Sequence, residues 1–386
     1  MQIAKDIIYV GVNDHEVDLF EGQFEVPLGM AYNSYVVKGA KTAVIDSVDR
    51  RFGEEWLGNV AKAAEGVDYL VVQHMEPDHS SSIDLFAKAY PNAKIVSSAP
   101  AFAMMKNYFG TDFAERRIVV KESDALDLGG HTLKFVAAPM VHWPEVIVTY
   151  DVESKSLFSA DGFGKFGALD REDPEGWDCE ARRYYFGIVG KFGAQVQALL
   201  KKASGLEIER ILPLHGPIHD TPEMVAHVIS QYSTWSSYGV ETPGVFIAYT
   251  SVYGHTKAVA EKLAEMLKAK GCPKVAIADL AREDTYESVE DAFRYGRIVL
   301  ATTTYNTGVF PFMREFIDHL VVRGYRNRKI GLVENGTWAP MAAKGMRAMF
   351  AGSEGIEFCP TVVTVKGAPT AETEKALEAL AGEIMA

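Results

Sequence analysis

Cysteine is scarce in this chain. Cys179, Cys272 and Cys359 are the only three among 386 residues, and no two of them form a CxxC pair. That excludes a zinc ribbon and a thioredoxin-like redox motif, and it fits three reduced thiols in a cytoplasmic protein. Long apolar runs are also missing, so no segment is expected to span a bilayer. The first residues, Met1 to Asp18, lack the apolar core of a signal peptide and soon turn acidic. Positive charge is in deficit: 39 Lys and Arg stand against 52 Asp and Glu, a formal net charge of −13. A phosphate surface rewards Lys and Arg, so neither nucleic acid nor an anionic membrane is an expected partner. No internal repeat or low-complexity tract is present. What remains is ordinary globular composition, 48% hydrophobic and 24% charged, in a chain long enough for two domains.

The pattern changes near residue 240. Before it, short strand-like runs alternate with polar turns: Ser34–Val37, Ala43–Asp46, Tyr69–Gln73, Lys94–Ser97, Thr132–Ala137, Val146–Tyr150 and Arg210–Leu214. Helical stretches such as Glu54–Ala64 and Ile83–Ala89 are interspersed, which suits a mixed α/β sandwich over residues 1–240. From Val245 onward strand and helix alternate cleanly. The strand candidates are Val245–Thr250, Lys274–Asp279, Ile298–Thr302, Ile330–Glu334 and Thr361–Val365. After the first of them Val259, Leu263 and Leu267 recur at helical spacing, and Gly271 stands where a C-terminal cap belongs. Five strands with helical crossovers predict a doubly wound parallel sheet over residues 245–386. Tyr238–Gly244 reads as the linker.

The densest chemistry lies just past the run Tyr69–Gln73. His74, Glu76, Asp78 and His79 place four potential ligands within six residues. His74 and Glu76 are two apart and share a face in an extended segment. Pro77 then turns the chain and re-aims Asp78 and His79. A solvated loop with a helix cap at Asp78 or Ser80 accounts equally well for this motif taken alone. Three further residues weigh against that reading. His142, Asp161 and His215 each follow a strand-like run, as ligands at one sheet edge would.

The set resembles the metallo-β-lactamase superfold, whose HxHxDH motif and later His, Asp and His bind two metals. Glu76 replaces the second histidine, and this HxExDH variant resembles the flavodiiron branch. The resemblance implies an αββα sandwich. It assigns His74, Glu76, His142 and Asp161 to one iron and Asp78, His79, His215 and Asp161 to the other, with Asp161 bridging. Carboxylate mixed with imidazole suits iron that cycles between ferrous and ferric states, while zinc hydrolases share the scaffold.

A second constellation opens the later domain. Thr250, Ser251, Val252, Tyr253, Gly254, His255 and Thr256 join the first strand to its helix. Hydroxyls, a glycine and a helix N-terminus make an anion cradle, although a capped helix start gives the same local pattern. Two more loops sit at carboxyl ends of parallel strands, where such sheets bind ligands. One comprises Thr302, Thr303, Thr304, Tyr305, Asn306, Thr307 and Gly308; the other comprises Asn335, Gly336, Thr337 and Trp338. The three resemble the FMN loops of flavodoxins, with Thr303 in place of a proline and no tyrosine in the last loop. The basic run Arg323, Arg326, Arg328 and Lys329 reads as solvated surface.

The flavodiiron resemblance covers essentially the whole chain. It implies FMN and a non-haem diiron site as cofactors, O₂ or NO as substrate, and a head-to-tail homodimer or a dimer of dimers. With no CxxC pair a fused rubredoxin is excluded, so an external donor such as rubredoxin is expected. Tyr185, with Tyr184 and Phe24, is a candidate for the substrate pocket. Two other readings are a zinc hydrolase fused to a flavodoxin-like module and a flavin protein with a vestigial metal site.

Overall fold

In strand Tyr35–Lys38 successive side chains take opposite faces. Tyr35 and Val37 enter one apolar cluster, while Val36 is buried on the other side. The same alternation recurs in Thr132–Ala137, where Leu133 and Phe135 are buried and Lys134 is exposed. Those faces meet in one core of Tyr35, Val37, Ile45, Val96, Leu133, Phe135, Ile147, Phe158 and Leu212. Burial of each such side chain contributes roughly 1.5–3 kcal/mol.

The computed structural model describes residues 1–386. The chain divides into two units, Met1–Tyr185 with Phe192–Ser233, and Phe186–Lys191 with Thr234–Ala386. In the first unit a seven-stranded sheet runs in the order Gln2–Ala4, Ile7–Tyr9, Tyr35–Lys38, Thr42–Ile45, Tyr69–Val71, Lys94–Ser97, Arg117–Val119. Its first pairings are antiparallel and those from Thr42–Ile45 onward are parallel. The facing sheet has five strands: Ala125–Asp127, Thr132–Ala137, Ile147–Asp151, Ser156–Phe158 and Arg210–Leu212. Helices such as Gly53–Ala63 cover the outer faces, held there by Trp56 and Val60 one turn apart. This is the expected αββα sandwich. The strands Gln2–Ala4, Arg117–Val119 and Ala125–Asp127 have three residues each, too few to show an alternation, and escape a sequence reading. The expected run Tyr69–Gln73 stops at Val71 because the Asp46 carboxylate takes the Gln73 N–H at 2.7 Å.

Pairing directions decide where the site forms. Thr132–Ala137 and Ser156–Phe158 both run antiparallel to the strand between them, and Arg210–Leu212 runs parallel to Ser156–Phe158. All three therefore end at one edge, and the residues that follow them emerge together.

The second unit is a parallel sheet in the order Val275–Asp279, Thr242–Tyr249, Tyr295–Tyr305, Lys329–Asn335, Glu357–Val365. Helices His255–Ala269 and Ala371–Met385 cover one face through Val259, Leu263, Leu267, Leu377 and Leu380. Gly271 takes φ +82° past the first helix, and the Cys272 N–H returns to the Leu267 carbonyl at 3.0 Å, closing the expected cap. The basic run departs from expectation. Arg328 is buried and donates to the carbonyls of Tyr238 (2.7 Å), Gly239 (2.9 Å) and Phe293 (2.6 Å). Arg323 is buried too, donating to the carbonyls of Phe186 (2.8 Å) and Gly187 (3.2 Å). Phe186 also stacks on Phe293 at 4.1 Å. These cations tie irregular backbone to the sheet.

Candidate metal centre and phosphate cradle

His74 and Glu76 lie in the loop after Tyr69–Val71, and Pro77 starts a single helical turn, Pro77–Ser80, that carries Asp78 and His79. His142, Asp161 and His215 emerge from the edge described above. Gly216, at φ +73°, lets the chain leave His215 where a Cβ would meet Lys165 at 2.6 Å.

The seven side chains form two buried clusters. In the first, His74 Nε2 stands 3.3 Å from Glu76 Oε2, 3.3 Å from His142 Nε2 and 3.4 Å from Asp161 Oδ2. His142 Nε2 lies 3.0 Å from Glu76 Oε2 and 3.1 Å from Asp161 Oδ2. In the second, His79 Nε2 is 2.9 Å from His215 Nε2 and 3.3 Å from both Asp78 Oδ2 and Asp161 Oδ1. Asp161 thus turns one oxygen to each cluster.

The chemistry of this set suits cations. Two imidazole nitrogens facing each other cannot both be protonated without repulsion, and neither bonds the other if both are bare. Ligand atoms roughly 2.0–2.2 Å from a common ion lie about 3.0–3.4 Å apart, the spacing seen. Asp78 Oδ1 is buried with no hydrogen-bond partner, a costly state unless an ion or water answers it. Burial opposes a charged His74, yet Asp161, Glu145 and Glu76 outweigh it and push the imidazole well above its ordinary range. His142, with Asp161 and Glu76 beside it, is pushed to about 9 despite burial. Burial opposes a charged Asp161 as well, but His74, His142 and His79 hold its carboxyl well below the usual range. The pocket therefore draws positive charge inward.

The sequence reading missed the supporting residues. His74 Nδ1 lies 2.8 Å from Glu145 Oε1, and His215 Nδ1 lies 2.8 Å from the Ala31 carbonyl. Each contact fixes Nε2 as the free lone pair. Glu21, solvent-exposed on the hairpin of Leu19–Phe20 and Phe24–Glu25, leans its carboxyl on Glu76, and the desolvation of that carboxyl with the neighbouring charge pushes it upward. Of the pocket candidates, Tyr184 packs against His215 at 5.6 Å, and its buried hydroxyl has no hydrogen-bond partner. Tyr185 packs against Tyr232 at 5.0 Å, and Phe24 packs against Phe166. Both tyrosines are fully buried, and only their ring contacts, Tyr184 with His215 and Tyr185 with Tyr232, separate them.

In the second unit Ser251, Val252, Tyr253, His255 and Thr256 line a cavity of about 450 Å³ together with Thr303–Thr307, Asn335–Trp338 and Gly367. Thr250 and Thr302 lie buried and bond each other at 2.6 Å, so they brace the floor. Asn335 Nδ2 donates to Thr256 Oγ1 at 3.3 Å and ties the last loop to the first. Gly254, at φ +93°, precedes the helix N-terminus, and a Cβ there would meet nothing within 4 Å. That open space above helix N–H groups suits a phosphate. Thr302–Tyr305 extend the strand instead of forming a loop: Tyr305 and Gly308 pair back across Asn306 and Thr307, both at positive φ. Tyr253 (90% exposed) and Trp338 (74%) offer open aromatic faces at the rim.

Fold and site together define a two-domain metalloflavoprotein. Residues 30–216 match the ODP family beta lactamase description, and residues 246–344 match the flavodoxin domain. An uncharacterised protein of Methanocaldococcus jannaschii is 30% identical over 329 residues, 83% of this chain and 81% of that protein. An anaerobic nitric oxide reductase flavorubredoxin of Aliivibrio fischeri is 29% identical over 88% of this chain and 70% of its own length. The solved rubredoxin oxygen:oxidoreductase of Desulfovibrio gigas matches with a TM-score of 0.93 at 26% identity, covering 100% of this chain and 97% of that one. The chain belongs to the flavodiiron family of oxidoreductases, with FMN and a diiron centre as cofactors.

Proposed function

We propose that this chain reduces a small gas: dioxygen to water with four electrons and four protons, nitric oxide pairwise to nitrous oxide and water with two of each, or both. The observation that carries the reading is Asp161, whose two oxygens face two separate buried ligand clusters. His74, Glu76, His142 and Asp161 would hold one iron, and Asp78, His79, His215 and Asp161 would hold the other. Bound FMN would supply electron relay from an external donor such as rubredoxin, and the iron pair would supply the redox chemistry of gas reduction. The chain's own residues set the terms. Asp161 keeps the two sites close enough for one small molecule to meet both. Tyr184 packs its ring against His215, and burial together with Asp161 keeps its phenol protonated. Glu76 in place of a histidine adds anionic character suited to iron.

The working unit is a head-to-tail homodimer, alone or paired. The exposed aromatic rim of the cradle supports this, as does the prevalence of closed two-fold assemblies. The domain division by sequence, residues 1–240 and 245–386, differs from the compact units in that Phe186–Lys191 and Thr234–Val240 group with the second unit and the strand Thr242–Tyr249 begins inside the expected linker.

Iron-loaded, FMN-replete protein is given reduced rubredoxin under anaerobic conditions, then measured doses of O₂ or NO. Consumption of either gas at about two irons per chain is expected. Two zinc ions per chain, with iron unable to support consumption, sinks the reading in favour of a hydrolase.

A further inference from the structure

Among the imidazoles of the two clusters, His74 alone has a carboxylate against its outer nitrogen. Glu145 Oε1 lies 2.8 Å from His74 Nδ1 and accepts the Met75 N–H at 2.9 Å. The outer nitrogen of His215 meets a neutral carbonyl, and that of His79 has no hydrogen-bond partner. Every ion pair of His79, His142 and His215 runs through Nε2, on the cluster side. Glu145 is itself 1% exposed, and its Oε2 is unpartnered. It comes from the loop three residues past His142, and its carbonyl accepts from Ser98 Oγ at 2.7 Å. The chain has thus set a carboxylate directly on the outer ring nitrogen of one cluster, whereas the buried carboxylate near His79, Asp46, bonds the backbone N–H groups of Gln73 and His74 and the Gln73 amide instead of an imidazole.

A mere staple between the two ligand loops would not need that charge. A glutamine of the same shape would accept the Met75 N–H and meet His74 with its amide oxygen. A carboxylate on Nδ1–H does more: it raises the basicity of the imidazole and makes Nε2 a stronger donor to whatever it ligates. Its charge, in surroundings that screen poorly, favours the more positive state of the nearer ion.

Resting on the diiron reading above, we propose that Glu145 is a positioning residue that makes the two metal sites electronically unequal. It strengthens ion binding at the His74 cluster and lowers the potential of the iron there, so that iron is the first of the pair to give up an electron. The Asp78–His79–His215 cluster, with no such carboxylate, keeps the higher potential.

The test compares full-length wild type with Glu145→Gln and Glu145→Asp in two measurements. Stepwise chelator competition reads ion affinity, and a mediated redox titration followed by electron paramagnetic resonance reads the potentials of the iron pair. In Glu145→Gln one of the two ions should be held about 10–100-fold less tightly. The lower of the two iron potentials should shift upward while the other stays, narrowing the range over which the half-oxidised pair is populated. Glu145→Asp, which keeps the charge, should recover most of both effects. Equal loss of both ions with unmoved potentials in the sites that remain filled would reduce Glu145 to a loop staple and overturn the proposal. So would a glutamine variant identical to wild type in both measurements. If wild type proves to hold zinc, the diiron reading fails separately. The competition arm still decides the role of Glu145, since one zinc of the two must then be weakened.

Discussion

At the residue scale the metal centre hangs on Asp161. Its oxygens serve both clusters, whereas His215 serves one. Asp161→Ala should therefore cost both ions, and His215→Ala mainly one, with flavin absorbance unchanged in each. Iron and flavin determination on the purified variants checks this, and full iron in Asp161→Ala would refute the bridging role. A different histidine sets a pH dependence. His219 Nε2 donates to the Phe163 carbonyl at 3.0 Å, while its buried Nδ1 has no hydrogen-bond partner. A second ring proton would be stranded there, and burial pushes the imidazole below the ordinary histidine range. The unfolded chain thus binds a proton that the folded chain refuses. The contribution is whole above about pH 6.5 and is lost as pH falls below it. His219→Gln keeps a donor without titrating, so its melting temperature should fall less than that of wild type between pH 7.5 and about pH 5.5. Parallel curves for the two proteins would show that His219 does not carry the effect.

At the element scale the irregular backbone is held by buried cations. Arg328 is 2% exposed and bonds three separate carbonyls. Arg328→Ala should destabilise the second unit by about 3 kcal/mol, because the carbonyls are left buried and unanswered. Arg328→Lys should not restore this, since an ammonium cannot span the three acceptors as a guanidinium does. Urea unfolding measures it, and a loss under about 1 kcal/mol would mean water replaces the side chain. The sequence reading takes this run for solvated surface because a string of Arg and Lys is polar whichever way it points. Only the carbonyls of distant segments give it a reason to be inside. The ligand positions were legible for the opposite reason: each follows a strand, so order along the chain already implies a common edge. Glu145 and Glu21 were not legible, because what distinguishes them is what they face across the fold. The turn at Asn306 and Thr307 was likewise hidden in a threonine-rich run that reads as loop until Thr304 pairs with Val309.

At the scale of the whole molecule the proposed head-to-tail dimer makes a prediction that no single chain can satisfy. Gly254→Val, strained at φ +93° and crowding the space above the helix N-terminus, should release flavin and leave iron in place. A mixed dimer of an Asp161→Ala chain with a Gly254→Val chain keeps its only intact flavin and only intact metal site on different subunits. It should reduce gas, whereas wild type paired with the doubly substituted chain should not. Activity only where both sites are intact on one chain would establish an intra-chain route instead. The rim of the cradle has one more consequence, for handling and for life in a crowded cell. Tyr253 and Trp338, joined by Tyr305 and Val252, leave apolar surface open around one cavity. Monomeric proteins seldom tolerate such a patch uncovered. A chain made without flavin, or without the partner proposed above, should therefore self-associate more readily than the loaded protein. Cofactor supply should then influence how much of this protein stays dispersed.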